Sequence, residues 1–306
     1  MSRETLKVAV MAAALADDVR QAPRLSRGAG FGGLVFDVVT RGVNLTTLSQ
    51  SGRRDFRQML AAQDQELVAL QAEIGPAGLS LGTDVDRVLT ALTRVMETAA
   101  GLGTRLVCAD IGPLPESPRM PKPKPTVTAE MAGRIILPTS FIAAPAPEAA
   151  PLGPKPSSVD PNFLAQVDAV LTELGQQADR FGVTLALRSE LASFAALERA
   201  LKAADCPWFA VDLDPVALLR DESPIDEVFS HLGAMIRHVR ARDAVRGTDR
   251  RTKPTTIGHG SSDWGELLAA LDAAGFQGWI TIDPIELPNR TAAAADGLSY
   301  LRSARS

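Results

Sequence analysis

Short apolar runs rich in β-branched residues alternate with longer stretches of helical period along this chain. The apolar runs predict strands at LKVAVM (6–11), GLVFDVV (33–39), LVALQAE (67–73), RLVCADI (105–111), VTLALRS (183–189), WFAVDLD (208–214), IRHVRARD (236–243) and GWITID (278–283). Between them, DVDRVLTALTRVMETAAGLG (84–103) carries Val85, Leu89, Leu92 and Val95 at helical spacing and stops at Gly103. PNFLAQVDAVLTELGQQADRFG (161–182) reads as another helix, and residues 291–303 as the last. Eight such β/α units imply parallel strands joined by right-handed crossovers. Eight is also the number that closes a (β/α)8 TIM barrel. The expectation is therefore one α/β domain over residues 1–306, with an open doubly wound sheet as the alternative.

One segment interrupts the rhythm. Residues 113–161 hold 13 of the 21 prolines, in runs such as PKPKP (121–125) and PLGPKP (151–156). Proline fixes φ and removes a donor, which excludes a long helix or a central strand there. The segment follows strand 4, so it should leave the barrel at the C-terminal face. It reads either as an extended loop or, because GRIILPTSFI (133–142) is apolar, as a lid or subunit contact.

The 306 residues are 45% hydrophobic, enough for a large core, and the net charge of −4 offers no general attraction to nucleic acid or an anionic membrane. No apolar run is long enough to span a bilayer. MSRETLK followed by VAVMAAALA has the look of a short secretory signal, but the β/α repeat that follows favours a first strand and a cytoplasmic protein. Cys108 and Cys206 fall in or beside predicted strands and read as buried thiols of a reducing compartment.

Alternation then assigns side chains to the lumen, since apolar residues of a barrel strand face the outer helices. Arg188 and Glu190 point inward from strand 5, and Asp212 and Asp214 from strand 6. His238, Arg240 and Arg242 do so from strand 7, and Asp283 from strand 8. Asp37, Glu73 and Asp110 fall at the lumen-side ends of strands 2 to 4. All lie near the C-terminal strand ends, where barrel enzymes keep their chemistry. The alternative is that the same cluster is a salt-bridge network that fills the barrel top.

GAGFGGLVF (28–36), FAVDLDP (209–215), IRHVRARD (236–243) and IGHGSSDWGELLAALDAAGFQGWITID (257–283), in this order, resemble the xylose-isomerase-like barrels, the superfamily of sugar phosphate isomerases and epimerases and of metal-dependent DNA-repair endonucleases. The resemblance covers nearly the whole chain outside 113–161. It implies a divalent metal held by a glutamate on strand 5, an aspartate on strand 6, the second histidine of His-x-His on strand 7 and a glutamate on strand 8. Of these only the aspartate stands here, as Asp214; the other positions are Arg188, Arg240 and Asp283. Ala217 replaces a histidine often found after strand 6, and Val35 a strand 2 glutamate. At about 5 Å and an effective dielectric of about 20, each arginine would oppose a divalent ion by roughly 6–7 kcal/mol. The usual metal is thus not expected, although a shifted site of Glu190, Asp214 and Asp283 stays open.

The chemistry then falls to the residues themselves. Glu190, Asp214, His238 and Asp283 are the candidate acids and bases. Arg188, Arg240, Arg242 and His259 are the candidate ligand-binding residues, with Arg246, Arg250, Arg251 and Lys253 extending the positive run beyond strand 7. This pattern favours a small anionic ligand such as a sugar phosphate. An isomerase or epimerase without the usual metal leads. A non-catalytic barrel that binds a carbohydrate-like anion or a protein partner comes next, then an endonuclease-like repair barrel. Whether the chain forms a homo-oligomer is open.

Overall fold

A computed structural model describes residues 6–40, 42–75, 77–115, 160–188, 193–248 and 251–305. Eight parallel strands close into a barrel in chain order: β1 (Val8–Met11), β2 (Gly33–Asp37), β3 (Glu66–Ala72), β4 (Leu106–Asp110), β5 (Thr184–Arg188), β6 (Phe209–Leu213), β7 (Ile236–Ala241) and β8 (Trp279–Ile282). β8 pairs with β1 through Val8↔Ile280, Ala9↔Thr281 and Val10↔Ile282, so no edge is left. Each observed strand lies inside its predicted run except β3, which starts one residue earlier at Glu66, and the open-sheet alternative is excluded. The pattern was readable because a barrel strand is apolar on its outer face and must alternate with a helix that covers it.

The helices behave as their sequences dictate. The helix Val85–Leu102 buries Val88, Leu92, Val95, Met96, Ala99 and Leu102, one face at three- and four-residue spacing. Asp84 caps its start, and Gly103, at φ 91°, ends it in a left-handed turn that a side chain would resist. Pro161 opens the helix Pro161–Phe181 at a position where its missing N–H costs nothing. The last helix spans Arg290–Ala304. Cys108 is buried and Cys206 partly so, and both are free thiols. No helix among the described residues is long and apolar enough to cross a membrane.

Two short antiparallel hairpins, which the sequence pattern did not suggest, follow barrel strands. One pairs Val39–Thr40 with Val43–Asn44 after β2. The other pairs Asp243–Arg246 with Thr252–Thr255 after β7. The expected continuation of strand 7 to residue 243 is therefore corrected: β7 ends at Ala241, and Asp243 begins the second hairpin. The Pro-rich excursion falls almost wholly outside the described residues.

Candidate active site at the C-terminal face

Strand alternation brings a set of charged side chains into the upper lumen. Arg188, from the end of β5, donates through Nη1 to Asp212 Oδ2 at 3.0 Å, and its Nε lies 3.6 Å from Asp110. Asp212, from β6, accepts from His238 Nδ1 at 2.7 Å. His238 Nε2 in turn meets the Thr281 hydroxyl at 2.7 Å. With Nδ1 donating to the carboxylate, a neutral ring leaves Nε2 to accept the Thr281 proton. Asp212 and His238 are both 2% exposed.

Burial pushes the Asp212 carboxyl up, but His238, Arg188 and Arg240 outweigh it and bring the group down to about 2. Its two oxygens are fully used, one by the imidazole and one by the guanidinium. Cys108 sits beside them: its sulfur and one ligand-type atom each of Asp212 and His238 lie within 4.8 Å of one another. Burial, reinforced by Asp212, raises the thiol well above its ordinary range, so it remains protonated.

Two further pairs complete the network. Arg240 Nε donates to Asp283 Oδ2 at 2.5 Å, and its Nη1 reaches Gln71 Oε1 at 2.9 Å. Burial works against the Arg240 charge, yet Asp283, with Asp212 and Asp214, holds its pKa above the ordinary value despite Arg242 nearby. Arg242 pairs with Asp214 and also approaches Glu286 at 3.4 Å. Asp214 is committed a second time, since its Oδ1 accepts from Val216 N–H at 3.0 Å and so starts the helix Pro215–Asp221.

Several expectations are corrected by these placements. Arg188, Arg240 and Arg242 all point into the lumen, but each already faces a carboxylate rather than an open anion site. The balancing carboxylates are Asp212 and Asp110 for Arg188, Asp283 for Arg240, and Asp214 for Arg242. The register shift between β6 and β7 at Val211/Asp212 sets Asp212 level with His238. His238 is buried with both ring nitrogens engaged, so it has no free nitrogen to offer a ligand. His259 is exposed in the turn after the second hairpin, apart from this network. Arg246, Arg251 and Lys253 lie exposed on that hairpin and its connecting loop. Glu190 and Arg250 fall outside the described residues.

A divalent metal does not fit this donor set. The Asp214 and Asp283 carboxylates are closed by guanidiniums, and arginine does not deprotonate to release them. The Cys108, Asp212 and His238 group is likewise closed by Arg188 and Thr281.

Three participants were not singled out from the sequence. Gln71 and Thr281 are inward polar residues that alternation could have found. Asp243 is the third. It is 2% exposed and accepts from the backbone N–H groups of Ala244, Gly258, Gly260 and Ser262, and from Trp264 Nε1. That hub ties the second hairpin to the loop 257–264.

Among the described residues the centre of the barrel top is closely filled. The spaces beside Arg188 and beside Arg242 come to ≈ 10 and ≈ 30 Å³, room for a water and not for a sugar. A cavity of ≈ 690 Å³ opens instead to one side, between the ends of β2 and β3 and the helix Val85–Leu102. Asp37, Gln71 and Glu73 line its strand wall. Burial pushes the Asp37 carboxyl up to about 6; Arg240 opposes the rise, and Asp283 and Glu73 add to it.

The sequence profile of the xylose isomerase-like TIM barrel family matches residues 23–304. Among solved structures, the chain is similar to a xylose isomerase domain protein from Planctomyces limnophilus, at 14% identity and a TM-score of 0.71, over 98% of this chain and 96% of that one. A xylose isomerase-like TIM barrel protein from Mycobacterium smegmatis, solved in complex with magnesium, matches at 16% identity and a TM-score of 0.64, over 94% and 89%. A 3-keto-D-glucoside 4-epimerase from E. coli matches at 15% and 0.66, over 98% and 100%. At such identities the likeness is one of fold. Among curated proteins none matches.

Proposed function

Because the chain belongs to the xylose isomerase-like TIM barrel family, we propose that it moves a proton beside the carbonyl of a sugar or sugar phosphate, as an isomerase or epimerase, without the divalent metal. The observation that carries this reading is the exchange of metal ligands for ion pairs. Arg188 and Arg240 stand where the resemblance puts a glutamate and a histidine, and each is paired with an aspartate. The epimerases among its structural neighbours support the reaction class. Asp37 supports the chemistry, since an acid brought up to about 6 both gives and takes protons near neutral pH.

The test is solvent exchange. Protein treated with EDTA is incubated in D2O with ketohexoses and ketohexose phosphates, and deuterium at the carbon next to the carbonyl is followed by NMR. Exchange that survives chelation is expected. Exchange that appears only when Mn2+ or Mg2+ is added, with one equivalent retained through Asp214, would overturn the metal-free reading. The commitment of these lumen acids and arginines to one another favours one second reading, a non-catalytic barrel whose carbohydrate-like ligand binds away from the barrel axis. It predicts saturable binding with no exchange for any sugar.

A further inference from the structure

The reading above leaves open where a ligand sits, and the two walls of the side cavity differ in a way that bears on this. The strand wall is acidic and accepting: Asp37 and Glu73 offer carboxyl oxygens, and Gln71 ties the wall to Arg240. The opposite wall is one face of the helix Val85–Leu102. Arg87, Thr90, Ala91 and Arg94 recur there at helical spacing and all line the cavity. Seven residues of helix set the two arginines about 10 Å apart along its axis. Thr90 and Ala91 between them are small, so the helix surface is recessed between two long cationic side chains.

Both arginines are exposed, and neither guanidinium has a partner among the described residues. This distinguishes them from Arg188, Arg240 and Arg242, whose charges are already met. Two acids, Asp84 and Asp86 at the start of the helix, also line the cavity on this side. The Asp84 carboxylate is occupied in capping, with Arg87 N–H donating to it at 3.0 Å. Arg94 lies two turns further along and away from both.

We propose that this side cavity, and not the barrel axis, is the ligand site, and that it takes a phosphorylated sugar with the phosphate on the Arg87–Arg94 face and the hydroxylated end against Asp37 and Gln71. The polarity of the walls fixes the orientation. A phosphate against Asp37 and Glu73 would meet like charge, whereas sugar hydroxyls donate to those carboxylates. Guanidinium forks suit the phosphate oxygens. The volume of ≈ 690 Å³ lies within the range that small-molecule sites occupy. The proposal rests on the sugar reading above for its substrate class, but it concerns binding and stands apart from whether a proton is moved.

Calorimetric titration of the full chain with D-fructose 6-phosphate, D-fructose and inorganic phosphate tests it. The wild type should bind the phosphorylated sugar at least about tenfold more tightly than fructose, the difference expected of one charge-assisted contact. Arg87→Ala with Arg94→Ala should erase that difference and leave fructose binding unchanged. Asp37→Asn should weaken fructose and fructose 6-phosphate alike. Arg57→Ala, in the separate cavity at the N-terminal face, should change neither. Each variant is first shown to unfold cooperatively at a thermal midpoint no lower than wild type, so that lost binding is not lost folding. Absence of saturable fructose 6-phosphate binding, or binding that survives the double arginine change, would overturn the site. Binding as expected with no deuterium exchange would sink the isomerase reading and uphold the cavity.

Discussion

Replacing Arg240 by alanine should cost the fold about 3–5 kcal/mol, the usual penalty for breaking a buried ion pair by removing one partner. The side chains of Arg240 and Asp283 are 13% and 3% exposed, so little water can take over the lost contact. Asp283 would retain only the Ile285 N–H, at 3.2 Å, and Gln71 would lose the guanidinium donor on its carbonyl. For a domain of this size such a loss lowers the thermal midpoint by roughly 5–8 °C. The stranded carboxylate escapes the penalty by taking up a proton, so the loss should be smaller at pH 5 than at pH 8. Arg240→Met combined with Asp283→Leu fills the space and leaves no charge alone. Only the Ile285 and Gln71 contacts then go unmet, at about 1 kcal/mol each. Urea unfolding of the wild type, both single variants and the double closes a mutant cycle. A double variant within about 2 kcal/mol of wild type is expected. Single losses below about 1 kcal/mol, or a double variant as unstable as the sum of the singles, would refute the argument that the pair is a buried, mutually dependent unit.

Three other outcomes follow from the same geometry. Asp212 is held near 2, below the ordinary aspartate value, so its contribution of about 2–3 kcal/mol is present above pH ~4 and lost as the pH falls toward 2; acid unfolding should be shallower across that window in Asp212→Asn. Asp37 is shifted the other way, so its ionisation weakens the fold as pH rises from ~4 through 6; Asp37→Asn should therefore raise stability above pH 6 and not below pH 4, and a gain confined to acid would contradict the assignment. Asp243→Ala frees at least four backbone donors and should speed amide exchange at Gly258, Gly260 and Ser262, with a stability loss of about 3 kcal/mol or more.

The barrel was legible in the sequence because its two requirements, an apolar outer face on each strand and a helix to cover it, are local. Alternation likewise placed Arg188, Asp212, His238, Arg240 and Asp283 in the lumen without any knowledge of their partners. The partners were not legible. Whether Arg188 meets Asp212 or Asp214 depends on the stagger of β5 against β6, where Leu187 pairs with Val211, and the register shift between β6 and β7 that sets Asp212 level with His238 leaves no mark in composition. Polar residues without charge, such as Gln71 and Thr281, carry no mark of their own in the pattern beyond an inward-facing position on a strand. The side cavity could not have been foreseen either. It lies between residues 37–46 and 71–95, on segments whose spacing in the fold the hydrophobic pattern does not give.

The Asp243 hub has a consequence for the loop it holds. A Cβ on Gly260 would stand 2.0 Å from Asp243 Oδ1, and one on Gly258, at φ 85°, would strike the Tyr300 ring at 2.4 Å. Neither position tolerates drift, and neither touches the lumen charges. The loop 257–264 is thus held by a constraint of assembly alone: Gly258, Gly260, Asp243 and Trp264 have to fit one another whichever charges stand on the axis.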